Sequence, residues 1–154
     1  MSTSSKIIGK LIKKNISISV AESCTGGLIC YSITKNSGAS KIFSGGIICY
    51  SNNAKIKYLG VSKKTLLKYG AVSSNIAEEM INGLYTKEKT QICIATTGVA
   101  GPKGGTIEKP VGLVFIGIKY NKQKFFFKKF YKGNRLLIQR KTKEFIFKKI
   151  DQLI

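Results

Sequence analysis

Residues 20–27, with the sequence VAESCTGG, place a hydroxyl, a thiol and two glycines where a predicted strand gives way to a predicted helix. The strand is indicated by the period-two alternation of residues 16–20, and apolar residues resume at helical spacing from Leu28. Glycines such as Gly26 and Gly27 let a backbone approach a ligand closely, and the first N–H groups of a helix have no intrahelical partner. This turn could therefore hold a phosphate or a developing oxyanion, although a capped turn without any chemistry would show the same pattern.

The turn offers two adjacent nucleophiles, Ser23 and Cys24, in a chain that contains no histidine. A thiolate is intrinsically the better nucleophile, but the thiol of Cys24 has no histidine to take its proton. A serine hydroxyl can instead be activated by a neutral lysine amine, because the pKa of a lysine falls readily when its side chain is desolvated. We therefore predict Ser23 as the nucleophile, with the backbone N–H groups of Cys24 and Thr25 as oxyanion donors.

The composition is typical of a single-domain cytoplasmic protein. The 154 residues are 43% hydrophobic, which suits one compact domain, and no apolar run reaches the ~18 residues that span a bilayer. The four cysteines form no C-x-x-C pair, which indicates a reducing cytoplasm. The chain has no histidine and few carboxylates to ligate a metal, so we expect neither a metal nor another cofactor.

The formal net charge of +20 raises the question of nucleic-acid binding. Of the 27 basic residues only Arg135 and Arg140 are arginines, whereas base and phosphate recognition relies on the bidentate arginine fork. The lysines are spread along the whole chain, as translation of an A+T-rich genome would produce. We therefore expect only non-specific adhesion to nucleic acid at low salt.

Strands and helices alternate along the chain. Helices are predicted over residues 5–14, 25–36, 52–58, 62–69, 74–85 and from about 134 onward. Strands are predicted over residues 16–21, 42–50, 91–97, 111–120 and 124–131, the last two as a hairpin. Gly45 and Gly46 interrupt the second strand, as at a bulge or a close approach to a ligand. This mixture predicts an α/β sheet covered by helices on both faces, with any site in the loops at strand ends.

A series of short motifs runs through nearly the whole chain. It comprises Ala21-Glu22-Ser23-Cys24-Thr25-Gly26-Gly27, Gly38-Ala39-Ser40, Tyr50-Ser51-Asn52-x-x-Lys55, Gly70-Ala71-Val72-Ser73, Thr97-Gly98-x-Ala100-Gly101-Pro102-x-Gly104-Gly105 and Lys109-Pro110-Val111-Gly112. In order and spacing this series resembles the CinA C-terminal domain family. The resemblance implies a three-layer α/β/α single domain with a mixed sheet over residues 1–154. We expect the stand-alone form, without the molybdopterin-binding-like domain that precedes it in longer relatives.

The resemblance also implies an enzyme, nicotinamide-nucleotide amidase. Such an enzyme hydrolyses the carboxamide of nicotinamide mononucleotide (NMN) to nicotinic acid mononucleotide and ammonia, which feeds pyridine nucleotide recycling. The family uses a Ser/Lys pair, carried here by Ser23 and Lys55, and the positions of Tyr50 and Thr97 match further hydrogen-bonding groups of its site. The family also implies a homo-oligomer, with NMN as the small-molecule partner and no membrane involved.

The same motifs give the candidate substrate-binding residues. The loop 98–105 offers backbone amides to a phosphate or ribose at Gly98, Gly101, Gly104 and Gly105. Arg135, in the family's Gly-x-Arg segment, is the first choice for an anion contact. The family usually has a second basic residue where this chain has Gln139, and Arg140 is the substitute that this chain offers.

The sequence is also compatible with a protein that binds a partner and catalyses no reaction. Lys55 is one of many lysines, and a chain of this fold could have lost its activity and kept a basic surface that binds nucleic acid or a protein partner. Release of ammonia from NMN separates the two classes, because a binding protein would give none above the uncatalysed rate.

Overall fold

The computed structural model describes all 154 residues, and its centre is a five-stranded sheet. The strands are β1 (Ile18–Glu22), β2 (Phe43–Ile48), β3 (Ile92–Gly98), β4 (Leu113–Tyr120) and β5 (Gln123–Phe130), arranged in the order β2-β1-β3-β4-β5. β1 runs parallel to both β2 and β3, whereas β4 and β5 form an antiparallel hairpin beside β3. The sheet is therefore mixed, and the carboxyl ends of β1, β2 and β3 meet at one edge.

Six α-helices cover the two faces of the sheet. They are α1 (Thr3–Lys14), α2 (Leu28–Thr34), α3 (Asn52–Leu59), α4 (Lys63–Tyr69), α5 (Ser74–Glu88) and α6 (Arg135–Leu153). One apolar core joins α1, α2 and α6 to one face, and a second joins α3 and α5, with the partly buried Leu66 of α4, to the other. The predicted three-layer α/β/α fold is confirmed. None of the helices is long and apolar enough to cross a membrane.

The alternation of side chains along β1 and β3 decides which residues share a face. Val20 and Ile94 belong to the core beneath α1 and α6, whereas Ala21 and Ala95 belong to the core beneath α5. Because the side-chain period of a strand is two, Glu22 continues the first set. The next position, Ser23, falls on the side of α3 and α5.

Two elements begin later than the sequence predicts, and one predicted irregularity is present. The second helix begins at Leu28 rather than near residue 25, because residues 24–27 form turns in which Gly26 and Gly27 have φ of 59° and 102°. Left-handed backbone of this kind favours glycine and cannot be part of an α-helix. At the Gly45-Gly46 interruption the pairing with β1 passes over Ser44, so the predicted bulge is present. The fourth strand begins at Leu113 rather than at residue 111.

The contact between α3 and α5 gives a stability prediction with a matched control. A Cβ at Gly83 in α5 would overlap the backbone of Leu59 at the end of α3, whereas a Cβ at Gly9 in α1 would meet nothing. We expect Gly83→Ala to lower the free energy of unfolding by about 1–3 kcal/mol through overpacking. Gly9→Ala should raise it by about 0.5–1 kcal/mol, because alanine is the better helix former. Urea unfolding of both variants checks this, and equal effects would contradict the α3–α5 packing.

Candidate functional site

Ser23 follows β1 directly and is held by the end of β3. Its backbone N–H donates to the Thr96 carbonyl at 3.1 Å and lies 3.3 Å from the Thr96 hydroxyl oxygen. The hydroxyls of Thr25 and Thr96 are 2.8 Å apart, and all three residues are buried. Thr96 thus fixes the turn on both sides of Cys24. The sequence prediction missed this role, and its only signal was the place of Thr96 beside Thr97 at a strand end.

Lys55 reaches Ser23 from α3, on the face of the sheet toward which Ser23 points. Ser51 caps the N-terminus of α3, which places Lys55 one turn into the helix. The side chain is buried, and its Nζ atom donates to Ser23 Oγ at 3.0 Å and to the Cys49 carbonyl at 3.1 Å. The structure therefore brings the two predicted catalytic residues into hydrogen-bonding contact.

Burial lowers the pKa of the Lys55 amine, because desolvation disfavours the charged form. Lys55 forms no ion pair that would counter this effect, since the ion pairs of the chain are Lys10 with Asp151 and Lys124 with Glu78. A lysine in these surroundings can lose its proton more easily than a lysine in water. Such an amine can act as a general base toward the hydroxyl that it contacts.

Burial favours loss of the proton from the Lys55 amine but disfavours loss of the proton from the Cys24 thiol. It is buried, and burial raises its pKa to about 12, so the thiol keeps its proton at neutral pH. Lys55 Nζ makes its hydrogen bond to Ser23 rather than to Cys24. The electrostatics of the turn therefore favour Ser23 as the nucleophile and leave Cys24 as part of the wall.

The start of α2 corrects one expectation from the sequence. The Glu22 carboxylate, fully buried, accepts hydrogen bonds from the N–H groups of Ile29 at 3.0 Å and Cys30 at 2.9 Å. These helix donors are occupied by the protein itself, so the prediction that the first helical turn could hold a phosphate is wrong. The N–H groups of Cys24 and Thr25, by contrast, donate to no backbone carbonyl or side-chain oxygen of the protein.

A cavity of about 240 Å³ opens beside Ser23 at the carboxyl ends of β1 and β3. Its walls come from the turn after β1, the glycine-rich loop after β3, the first residue of α6, and single residues after β2 and before α5. The lining residues are Ser23, Cys24, Tyr50, Val72, Gly98, Val99, Ala100, Gly101, Lys103, Gly104 and Arg135. Four larger cavities lie elsewhere on the surface, and Ser23 lines none of them.

Arg135 spans the mouth of this cavity. Its Nη1 atom donates to the Gly101 carbonyl at 2.6 Å, and its Nη2 atom donates to the hydroxyl of Tyr50. Tyr50 is 58% exposed, so its hydroxyl lies at the rim with Arg135 rather than on Ser23. Arg140 is exposed and does not line the cavity. Of the two candidate arginines, only Arg135 is placed to meet a ligand there.

Other predicted site residues do not line the cavity. Thr97 is buried and donates to the Ala71 carbonyl at 2.7 Å, so it fixes the segment before α5. Gly105, Gly26 and Gly27 are not among the lining residues, whereas Gly98, Gly101 and Gly104 are.

Four lining residues, Val72, Val99, Ala100 and Lys103, were not among the site residues predicted from the sequence. Lys103 lies inside the glycine-rich loop, but its charge could not be distinguished from that of the many other lysines. No three side chains of cysteine, aspartate and glutamate come together where they could hold a metal ion.

Comparison with known proteins identifies the family of this chain. The profile of the CinA C-terminal domain matches residues 1–154. A competence-damage inducible protein of Clostridium tetani is 51% identical over 138 residues, which are 88% of this chain and 34% of the relative. A CinA-like protein of Fusobacterium nucleatum is 51% identical over 130 residues, which are 84% of this chain and 31% of the relative. The chain thus spans about a third of the length of these relatives.

Solved structures match over nearly the whole chain. The competence/damage inducible protein CihA of Agrobacterium tumefaciens has a TM-score of 0.93 at 33% identity, with 99% of this chain and 96% of that chain covered. A CinA superfamily protein of Escherichia coli has a TM-score of 0.93 at 28% identity, with 99% and 88% covered. The resemblance in the motifs is thereby confirmed, and the chain belongs to the CinA C-terminal domain family.

Proposed function

We propose that this chain is a nicotinamide-nucleotide amidase that hydrolyses the carboxamide of NMN to nicotinic acid mononucleotide and ammonia. The observation that carries the proposal is the 3.0 Å hydrogen bond between the buried Lys55 amine and the Ser23 hydroxyl at the wall of a cavity. Hydrolysis of an amide needs an activated nucleophile, and this pair supplies one in a chain without histidine.

In the proposed reaction the neutral Lys55 amine takes the Ser23 proton while Ser23 Oγ bonds to the carboxamide carbon. The carbonyl oxygen becomes an oxyanion, and the N–H groups of Cys24 and Thr25, which donate to no backbone carbonyl, are the proposed donors that stabilise it. The C–N bond then breaks, and Lys55 returns the proton to the departing nitrogen, which leaves as ammonia. Water attacks the resulting ester with Lys55 again as the base, releasing the acid and restoring Ser23.

The charges at the cavity support a substrate that carries a phosphate. Arg135 and Lys103 line it, and no aspartate or glutamate does. The guanidinium of Arg135 can form charge-assisted hydrogen bonds to phosphate oxygens once it exchanges its contact with Gly101. The glycine-rich loop supplies a wall on which a ligand can approach the backbone closely.

The first test measures ammonia release from NMN by the purified protein. We expect turnover by the wild type and a loss of several orders of magnitude in Ser23→Ala, because the attacking oxygen is removed. Cys24→Ala keeps the backbone N–H, so its turnover should fall less than about tenfold.

Circular dichroism of each variant shows whether it is folded. Ammonia release by Ser23→Ala at the wild-type rate would refute the mechanism. No release by a folded wild type would favour the binding-protein alternative.

The second test uses pH and a charge-preserving variant. Because Lys55 must be neutral to take the proton, kcat/KM should rise with pH through a pKa below the ordinary value of about 10.4 for lysine. Lys55→Arg should be nearly inactive at every pH over which the wild-type kcat/KM rises, since a guanidinium keeps its proton at those pH values. Turnover that falls as pH rises through this range, or an active Lys55→Arg, would show that Lys55 is not the base.

The third test compares two arginines on one helix. Arg135→Ala should weaken NMN binding much more than binding of the dephosphorylated riboside, because each charge-assisted hydrogen bond to phosphate contributes about 1.5–3 kcal/mol. Arg140→Ala removes the same charge at a position outside the cavity and should change neither. Isothermal titration with the Ser23→Ala protein measures binding without turnover. An equal loss for both ligands in Arg135→Ala would assign Arg135 to the structure of the rim instead.

A further inference from the structure

We infer that Gln139, on α6, is a positioning residue that orients the Cys24–Thr25 peptide so that the Thr25 N–H faces the reacting oxygen. Gln139 Nε2 donates to the Cys24 carbonyl at 3.0 Å and is half-buried against the turn. The inference rests on the proposed amide hydrolysis, because it assigns Gln139 to the oxyanion site of that reaction. Nothing in the sequence pattern assigned a role to this side chain.

The planarity of the peptide bond determines where the Thr25 N–H points. A trans peptide is planar, so its carbonyl and N–H point in opposite directions. The Cys24 carbonyl points to Gln139 on the α6 side of the sheet, and the Thr25 N–H must then point away from α6. On that other side lie α3 and the Lys55 amine in contact with Ser23 Oγ. The N–H is free and is directed to the side on which the nucleophile attacks.

The turn needs such a restraint because it is not helical. α2 begins only at Leu28, and the two glycines before it have left-handed backbone. Thr96 holds the N–H of Ser23 and the side chain of Thr25, and the Gly26 N–H closes the turn on the Ser23 carbonyl at 3.0 Å. The bond from Gln139 is the only hydrogen bond made by the peptide group between Cys24 and Thr25 itself. Without it this peptide group has no direct partner, and its N–H can tilt away from the developing oxyanion.

The role requires a hydrogen-bond donor and not a charge. Gln139 stands where the family pattern usually has a basic residue, and a lysine or arginine there could donate to the same carbonyl. Gln139 and Arg135 are four positions apart, so they lie on one face of α6. This face carries both the anion contact and the positioning contact.

The test compares kcat and KM for NMN in three variants. Gln139→Met keeps the side-chain length without a donor, Gln139→Lys keeps a donor, and Gln152→Met is the control at an exposed glutamine of the same helix. Loss of one oxyanion donor lowers turnover by about 10²–10³-fold, so loss of its positioning should lower kcat by at least about tenfold. We expect this loss in Gln139→Met with KM unchanged, near wild-type kcat in Gln139→Lys, and no change in Gln152→Met. A kcat within about twofold of wild type in Gln139→Met, or a loss that Gln139→Lys does not restore, overturns the inference.

A second measurement does not depend on turnover. The amide hydrogen exchange and NMR chemical shift of Thr25 report the orientation of its N–H in the free protein. Both should change in Gln139→Met and stay near the wild-type values in Gln139→Lys. An unchanged Thr25 amide in Gln139→Met would overturn the positioning role even if kcat fell. If the wild type releases no ammonia from NMN, the proposed function fails, and the Thr25 signal alone decides whether Gln139 holds the peptide.

Discussion

The site depends on a lysine amine that is buried beside a serine hydroxyl with no carboxylate to neutralise it. Removing an ammonium from water without a counter-ion is costly, and the amine responds by releasing its proton more easily. Two contacts, to Ser23 Oγ and the Cys49 carbonyl, hold the Lys55 amine in place. The cap at Ser51 sets the start of α3 and so determines where this amine points.

The mixed sheet explains why these groups meet. β1 and β3 are parallel neighbours, so the turn after β1 and the glycine-rich loop after β3 leave the sheet at the same edge. The alternation along β1 then directs Ser23 to the face that α3 covers. Glu22, one residue earlier, points to the other face, where its carboxylate holds the start of α2. Two adjacent residues at the end of β1 therefore point to opposite faces, Ser23 toward Lys55 and Glu22 toward α2.

Much of this arrangement could be predicted from the sequence, because hydrophobic periodicity gave the order of helices and strands. Ser23 followed from the turn motif, whereas Lys55 could be chosen among so many lysines only by its place in the Tyr50 segment. The capping of α2 by Glu22 could not be predicted, since a side chain that folds back onto a later helix leaves no periodic signal. Arg140 illustrates a different limit. It is five positions from Arg135, which is about 140° around a helix, so both cannot face one cavity.

The assignment of Ser23 as a nucleophile that Lys55 activates is tested most directly by trapping the ester that the mechanism requires. The protein is incubated with NMN and hydroxylamine, which competes with water for an acyl group, and acid-quenched samples are digested for mass spectrometry. We expect the hydroxamate of nicotinic acid mononucleotide among the products and an acyl group on the peptide at Ser23 Oγ. Steady ammonia release with no hydroxamate and no acylated Ser23, or an acyl group carried by Cys24, would contradict the assignment of Ser23 as the nucleophile.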